Sequence, residues 1–286
     1  MSAARQFKSE LVAVFGQPIA ENPTQCMMEA AFRDLGIDWR YLTIEVAPAD
    51  LADAIRGMRA MGFRGANCTI PHKVAVVLYL DELSPAVQAI GAVNCIVRQG
   101  NRLLGENTDG KGFLQSLQEV MPVKGTRAVL LGAGGAARAI GVELLRAGCA
   151  GITVVNRSRP RGEELVAILN RVATGKATFV AWQGDYAVPP GTDVLINATS
   201  IGLFPDVDAR VPLKIDALQP ATLVCDVIPN PPRTRLVRDA ESRGCRTLDG
   251  LGMLVNQGVI GIRLWTGLDP NPVVMRDALE EVFGSS

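Results

Sequence analysis

Arg127-Ala128-Val129-Leu130-Leu131-Gly132-Ala133-Gly134-Gly135-Ala136-Ala137-Arg138 decides the fold. The apolar run up to Leu131 reads as a buried strand. Ala139 to Ala147 continues as a helix stopped by Gly148. Between them, Gly132, Gly134 and Ala137 have the spacing G-x-G-x-x-G/A, which lets backbone N–H groups approach a pyrophosphate at a helix N-terminus. That spacing alone is a weak signal. Here the strand and the helix flank it, and a second apolar run, Gly151 to Val155, follows at the distance of a βαβ unit. Gly132, Ala133, Gly134, Gly135 and Ala136 are therefore candidate dinucleotide contacts.

The second strand ends in Asn156-Arg157-Ser158-Arg159-Pro160-Arg161. An NAD site usually has an acid here for the ribose hydroxyls. Asn156 stands in its place, and a carboxylate would repel the 2′-phosphate that guanidinium and hydroxyl groups bind. Asn156, Arg157, Ser158 and Arg161 thus point to NADP, with NAD as the alternative and a solvated basic loop as the plainer reading. Thr192 to Ile196 and Leu223 to Ile228 are two further strands. Ligands of open α/β sheets sit beyond the carboxyl ends of strands, so the turns carrying Thr199 and Val227 face the cofactor. Asp249 to Gln257 opens a helix running to about Trp265 that returns to the first domain and closes the cleft, with Gly250 and Met253 as candidate cofactor contacts.

Upstream, Leu11 to Phe15 reads as a strand, Thr24 to Leu35 as a helix with a glycine stop, Trp39 to Val46 as an alternating strand and Ala49 to Met61 as a helix. Asn67-Cys68-Thr69-Ile70-Pro71-His72-Lys73 comes next. Pro71 keeps Ile70 out of helical geometry and starts a helix well, so Lys73 falls in a first turn. A cation there opposes the helix macrodipole, a poor place for an idle lysine. Gly91 to Val97 and Gly100 to Gly110 form a hairpin that delivers Asn107, Thr108 and Asp109 to its far end. These residues can cap the next helix, with Asp109 as the N-cap, and still face a ligand. Pro122 to Gly125 breaks that helix ahead of the glycine-turn unit.

The length of 286 residues suits two domains. With 29 basic and 29 acidic residues and no basic block, nucleic-acid binding has no electrostatic support. No apolar run reaches the length of a membrane span, and Met1 to Glu10 is too polar for a secretory leader. Six scattered cysteines without a CxxC pair read as reduced thiols, so a cytoplasmic location is expected. The single histidine, His72, argues against a histidine-rich metal site or a Ser-His-Asp triad; no metal is expected.

These motifs, in this order, resemble the shikimate dehydrogenase family over nearly the whole chain. NCTIPHK looks like its N-x-T-x-P-x-K, and the AVN ending at Asn94 and TDG at Thr108 to Gly110 match its substrate motifs. GAGGAAR, NRSRPR, NATSIG at Asn197 to Gly202 and DGLGMLVNQ at Asp249 to Gln257 complete the set. The resemblance implies an α/β fold with a catalytic domain at 1–108 plus 251–286 and a Rossmann-type NADP domain at 109–250. It implies reversible NADP-dependent interconversion of 3-dehydroshikimate and shikimate. Lys73 would be the general acid/base and Asp109 its partner, while Thr69, Asn94 and Gln257 would bind substrate hydroxyls. The implied partner is a small hydroxylated cyclic acid; no nucleic acid or membrane is involved, and the chain is a monomer or homodimer.

The chain departs from the family at the acid end of the substrate. A Ser-x-Ser pair that holds the carboxylate is here Asn22-Pro23-Thr24, and a nearby tyrosine is Pro229. Asn22 and Thr24 remain candidate substrate ligands with altered geometry. Quinate or another hydroxylated ring acid is therefore the alternative substrate. A non-catalytic dinucleotide or metabolite sensor is the alternative from another class, and Lys73 and Asp109 together argue against it.

Overall fold

A computed structural model describes residues 7–284; the amino-terminal stretch read above for a leader lies partly outside them. Two six-stranded sheets organise the chain. The first contains β1 (Glu10–Gly16), β2 (Trp39–Glu45), β3 (Gly65–Cys68), β4 (Glu82–Leu83), β5 (Cys95–Gln99) and β6 (Arg102–Glu106), in the order β2-β1-β3-β5-β6-β4. Helices α1 (Thr24–Asp34) and α2 (Leu51–Met61) make the crossovers that keep β1, β2 and β3 parallel. The short α3 (His72–Ala75) follows β3, and α4 (Pro85–Ile90) follows β4. Strands β5 and β6 form the expected antiparallel hairpin, and β5 pairs antiparallel with β3.

Helix α5 (Asp109–Val120) leads to the second sheet. This sheet contains β7 (Arg127–Leu131), β8 (Gly151–Asn156), β9 (Ala177–Ala181), β10 (Val194–Asn197), β11 (Leu223–Asp226) and β12 (Thr247–Leu248). Its order is β12-β11-β10-β7-β8-β9 and every pair is parallel. This is the doubly wound order with its switch point between β7 and β10, where a crevice opens at the strand ends. Helices α6 (Gly135–Arg146), α7 (Arg159–Val172) and α8 (Arg235–Ser242) belong to this half.

Helices α9 (Gly250–Thr266) and α10 (Pro272–Phe283) return to the first sheet. Asp249 caps α9 by accepting the Leu251 N–H at 3.0 Å. Val255, Val259 and Ile262 of α9 share one buried cluster with Val12, Val14 and Phe32. Burying each such side chain is worth about 1.5–3 kcal/mol, enough to hold the returning segment. Helix α5 is wedged between α9 and α6. A Cβ on Gly112 would meet the Gln257 backbone nitrogen at 2.7 Å, and one on Gly110 the Ala139 carbonyl oxygen at 2.4 Å. These bare positions let α5 approach both helices and put its N-terminus in the cleft between the sheets.

All six cysteines are free, five of them buried. Among the described residues, no helix is long and apolar enough to cross a membrane.

Candidate active site

A cleft of about 750 Å³ runs between the two sheets. At its floor, Lys73 Nζ donates to Asp109 Oδ2 at 2.6 Å. Lys73 comes from α3, which begins directly after Pro71; Asp109 comes from the first turn of α5. Asp109 is the first helical residue rather than the N-cap expected from the sequence. The capping acceptor is Asn107 Oδ1, which takes the Asp109 N–H at 3.2 Å. This frees the Asp109 carboxylate for the cleft.

A buried network holds that carboxylate. Asn94 Nδ2 donates to Asp109 Oδ1 at 2.8 Å and to Thr108 Oγ1 at 2.9 Å, while Asn94 Oδ1 accepts the Thr108 N–H at 2.7 Å. Thr69 and Gln257 line the cleft beside the pair. Asn94 is buried behind it, 2% exposed, with its amide committed to this network.

The glycine turn forms the opposite wall. Gly132 has φ +104°, and a Cβ there would stand 2.9 Å from the Ala198 carbonyl oxygen across the switch point. A Cβ on Gly135 would be 3.3 Å from Lys73 Cβ and Cδ, so the lysine stem rests on the turn itself. The first N–H groups of α6 have no intrahelical acceptor and point to this space. Ala133, Gly134, Ala136, Thr199, Val227, Gly250 and Met253 all line the cleft.

Asn156, Arg157 and Arg161 line its far end. Asn156 Nδ2 donates to the Ser158 carbonyl at 2.8 Å, shaping that loop. Ser158 sits at the N-cap position of α7 and is not part of the lining. Among the described residues, neither Arg157 nor Arg161 has an acidic partner. Arg159 turns away, paired with Glu163 at 2.8 Å and lying over the Phe179 ring. Free cations, open space above Gly134 and unpaired helix N–H groups fit a phosphorylated dinucleotide.

At the other end the cleft is lined by Glu21, Asn22, Pro23, Pro229 and Asn230. Thr24 is buried in the first turn of α1 and is not part of the lining. Asn22 Oδ1 accepts the Thr24 N–H at 3.0 Å. Its Nδ2 remains as a donor. Among the described residues, Lys73 is the one cation lining the substrate side, and Asp109 pairs with it.

Two further polar residues stand in or just behind this cleft: Arg138, the last residue of the glycine-turn motif, and Asp226. Arg138 lines the cleft, pairs with Glu164 at 2.8 Å and keeps a buried Nε without an acceptor. Asp226, at the end of β11, accepts from Asn197 Nδ2 at 3.1 Å, Thr234 Oγ1 at 2.8 Å and the Ile228 N–H at 3.2 Å. It thereby fixes the turn carrying Val227 and Pro229. Burial raises its pKa to about 6 against these hydrogen bonds. A carboxyl group with a raised folded pKa contributes stability below its unfolded value near 3.9, and loses it as pH rises through about 6. The stability of wild type relative to Asp226→Asn should therefore fall by about 2 kcal/mol between pH 4 and pH 7. Denaturant melts across that window check this; a constant gap would mean the carboxyl group does not titrate there.

A dinucleotide turn at the switch point and a lysine–carboxylate pair facing it define a two-sheet α/β nicotinamide oxidoreductase. Family models agree. The shikimate dehydrogenase substrate binding domain matches residues 14–96, shikimate / quinate 5-dehydrogenase residues 115–201, and the shikimate 5'-dehydrogenase C-terminal domain residues 250–280. Shikimate dehydrogenase (NADP(+)) of Moorella thermoacetica is 42% identical over 281 residues, covering 96% of this chain and 94% of that one. The ligand-free 5-ketofructose reductase of Gluconobacter sp. strain CHM43 is 49% identical, with a TM-score of 0.89 over 97% of this chain and 100% of that one. The Thermus thermophilus shikimate 5-dehydrogenase, solved with NADP(H) and shikimate, is 35% identical, with a TM-score of 0.84 over 95% and 99%. The chain belongs to the shikimate dehydrogenase family. It is an oxidoreductase of the kind that acts on CH–OH donors, and its curated relatives are named as NADP(+) enzymes.

Proposed function

We propose that this chain catalyses reversible NADP-dependent reduction of a ketone on a small polyhydroxylated substrate, with Lys73 and Asp109 as its acid–base machinery. The observation that carries this is the 2.6 Å Lys73–Asp109 contact against the glycine turn. The bound cofactor would supply the hydride. Its transfer to a carbonyl carbon leaves negative charge on oxygen, which the Lys73 ammonium stabilises and protonates. Asp109 holds Nζ through one oxygen and is held by Asn94 through the other. Thr69 and Gln257 offer polar groups to substrate hydroxyls. The α6 N-terminus would hold the diphosphate, and Arg157 and Arg161 would hold the 2′-phosphate.

The end of the cleft beyond Lys73 favours a neutral substrate. Thr24 is buried, Pro229 has no side-chain donor, and among the described residues no unpaired cation lines that end. A carboxylate would have Asn22 Nδ2 as its one evident side-chain donor. The relative at 49% identity is a 5-ketofructose reductase, whose named substrate carries no acid group. We therefore read the substrate as a polyhydroxy ketone of that kind. Shikimate is the second reading, favoured by eight curated relatives named shikimate dehydrogenase at 36–43% identity.

Purified enzyme with 5-ketofructose or 3-dehydroshikimate, each with NADPH, separates the two. Each charged hydrogen bond lost to a carboxylate is worth about 1.5–3 kcal/mol. The expected kcat/KM is thus at least about tenfold higher for the ketose, and Asn22→Ser with Pro229→Tyr should raise the value for 3-dehydroshikimate. A higher native value for 3-dehydroshikimate would return the assignment to shikimate.

The domain division at 1–108 plus 251–286 and 109–250 is part of the same reading, supported by the two sheets and the return of α9. A cytoplasmic monomer or homodimer is consistent with the free cysteines.

A further inference from the structure

Tyr41 lies in β2, two strands away from the strand that leads into Lys73, and is fully buried. A phenylalanine would fill the same apolar space, so the hydroxyl needs its own explanation. It donates to Asn67 Oδ1 at 2.7 Å. That bond fixes which way the Asn67 amide points. Asn67 Nδ2 then donates to the Asn94 carbonyl oxygen at 3.0 Å, an oxygen that also accepts the Cys68 N–H at 2.9 Å. Asn94 is thus held at its backbone by Asn67, while its side chain holds Asp109 Oδ1 at 2.8 Å. Asp109 Oδ2 takes the Lys73 ammonium.

The tyrosine itself is clamped. Its ring lies 6.4 Å from that of Trp265, whose Nε1 donates to the Ile96 carbonyl at 2.9 Å. A Cβ on Gly65 would stand 2.2 Å from that Nε1, so the indole sits directly on the sheet. Burial pushes the phenol pKa well above 10, so the hydroxyl stays a donor at every working pH.

We infer that Tyr41 is a positioning residue for the acid–base pair, acting through Asn67 and Asn94 on Asp109. The inference rests on Lys73 and Asp109 being that pair. A hydrogen bond of ordinary net strength corresponds to roughly a three- to tenfold rate effect when its loss misplaces a reacting group.

The test is steady-state kinetics of Tyr41→Phe, Asn67→Leu and the double variant, using 5-ketofructose and 3-dehydroshikimate as probes with NADPH and 4-deuterated NADPH. Tyr41→Phe should lower kcat about three- to tenfold, leave the KM for NADPH near wild type and raise the deuterium isotope effect on kcat. In the Asn67→Leu background, the same change should add less than about twofold, because the link is already cut. A folded Tyr41→Phe with wild-type kcat and isotope effect overturns the inference, even if its Tm falls. So does an equal loss in both backgrounds. Should Tyr41→Phe not fold, wild-type kcat in folded Asn67→Leu overturns it as well. If Lys73→Ala keeps its rate, the acid–base reading has failed; if only Tyr41→Phe does, the pair stands without its support.

Discussion

Lys73→Ala lowers kcat by roughly 10²–10⁴-fold, the range for removing a general acid–base group. The change deletes the ammonium 2.6 Å from Asp109 and leaves a buried carboxylate without its counter-charge. It also removes the stem that packs against Gly135, where an added Cβ would stand 3.3 Å from Lys73 Cδ. Lys73→Met separates these effects, because it restores the packing without the charge. Its kcat should be as low as that of the alanine variant. Asp109→Asn should also be slow, since Lys73 loses its charged partner. NADPH affinity, measured by nicotinamide fluorescence, should stay near wild type in both lysine variants, because the glycine turn and Arg157 are untouched. Thermal melts establish that the proteins compared are folded. Turnover of any substrate at the wild-type rate in Lys73→Ala would remove the residue from the mechanism.

How far such a site can be read from sequence depends on whether its chemistry is carried by local spacing. The glycine turn is local: strand, turn and helix follow one another, and the doubly wound sheet formed around it. Two of that sheet's strands, Ala177–Ala181 and Thr247–Leu248, were not read. Both are edge strands, and the second has only two residues, too few for an alternation to register. Thr24 illustrates another limit. Its position in the motif suggests a ligand, the first turn of α1 sets it outside the cleft lining, and a helix rotation cannot be read from a three-residue pattern. Asp109 went the other way: Asn107 caps the helix and frees it. Arg138 ends the glycine-turn motif and Asp226 ends a strand, but the partners that make them notable come from other elements. Tyr41 falls within an alternating strand, and only the fold brings its hydroxyl to Asn67.

The double variant Arg157→Ala, Arg161→Ala should lose NADP preference almost entirely. Each guanidinium that holds a phosphate contributes about 1.5–3 kcal/mol, so kcat/KM with NADPH should fall roughly tenfold or more per arginine, and by about 10²–10⁴-fold together if the two act independently. With NADH, which has no 2′-phosphate, the value should hardly move. The structure supplies a control on the same loop. Arg159 is already paired with Glu163 and lies over Phe179, so Arg159→Ala should leave the cofactor ratio unchanged although it removes the same charge. This distinguishes a phosphate clasp from a general basic field, in which all three arginines would count alike. A salt series adds a second check: a direct contact persists at high ionic strength, whereas a long-range attraction fades once the Debye length falls to about 3 Å at 1 M. If the NADPH to NADH ratio of the double variant equals that of the wild type, Arg157 and Arg161 do not read the phosphate. The selectivity would then have to come from Asn156 and the loop backbone that it shapes.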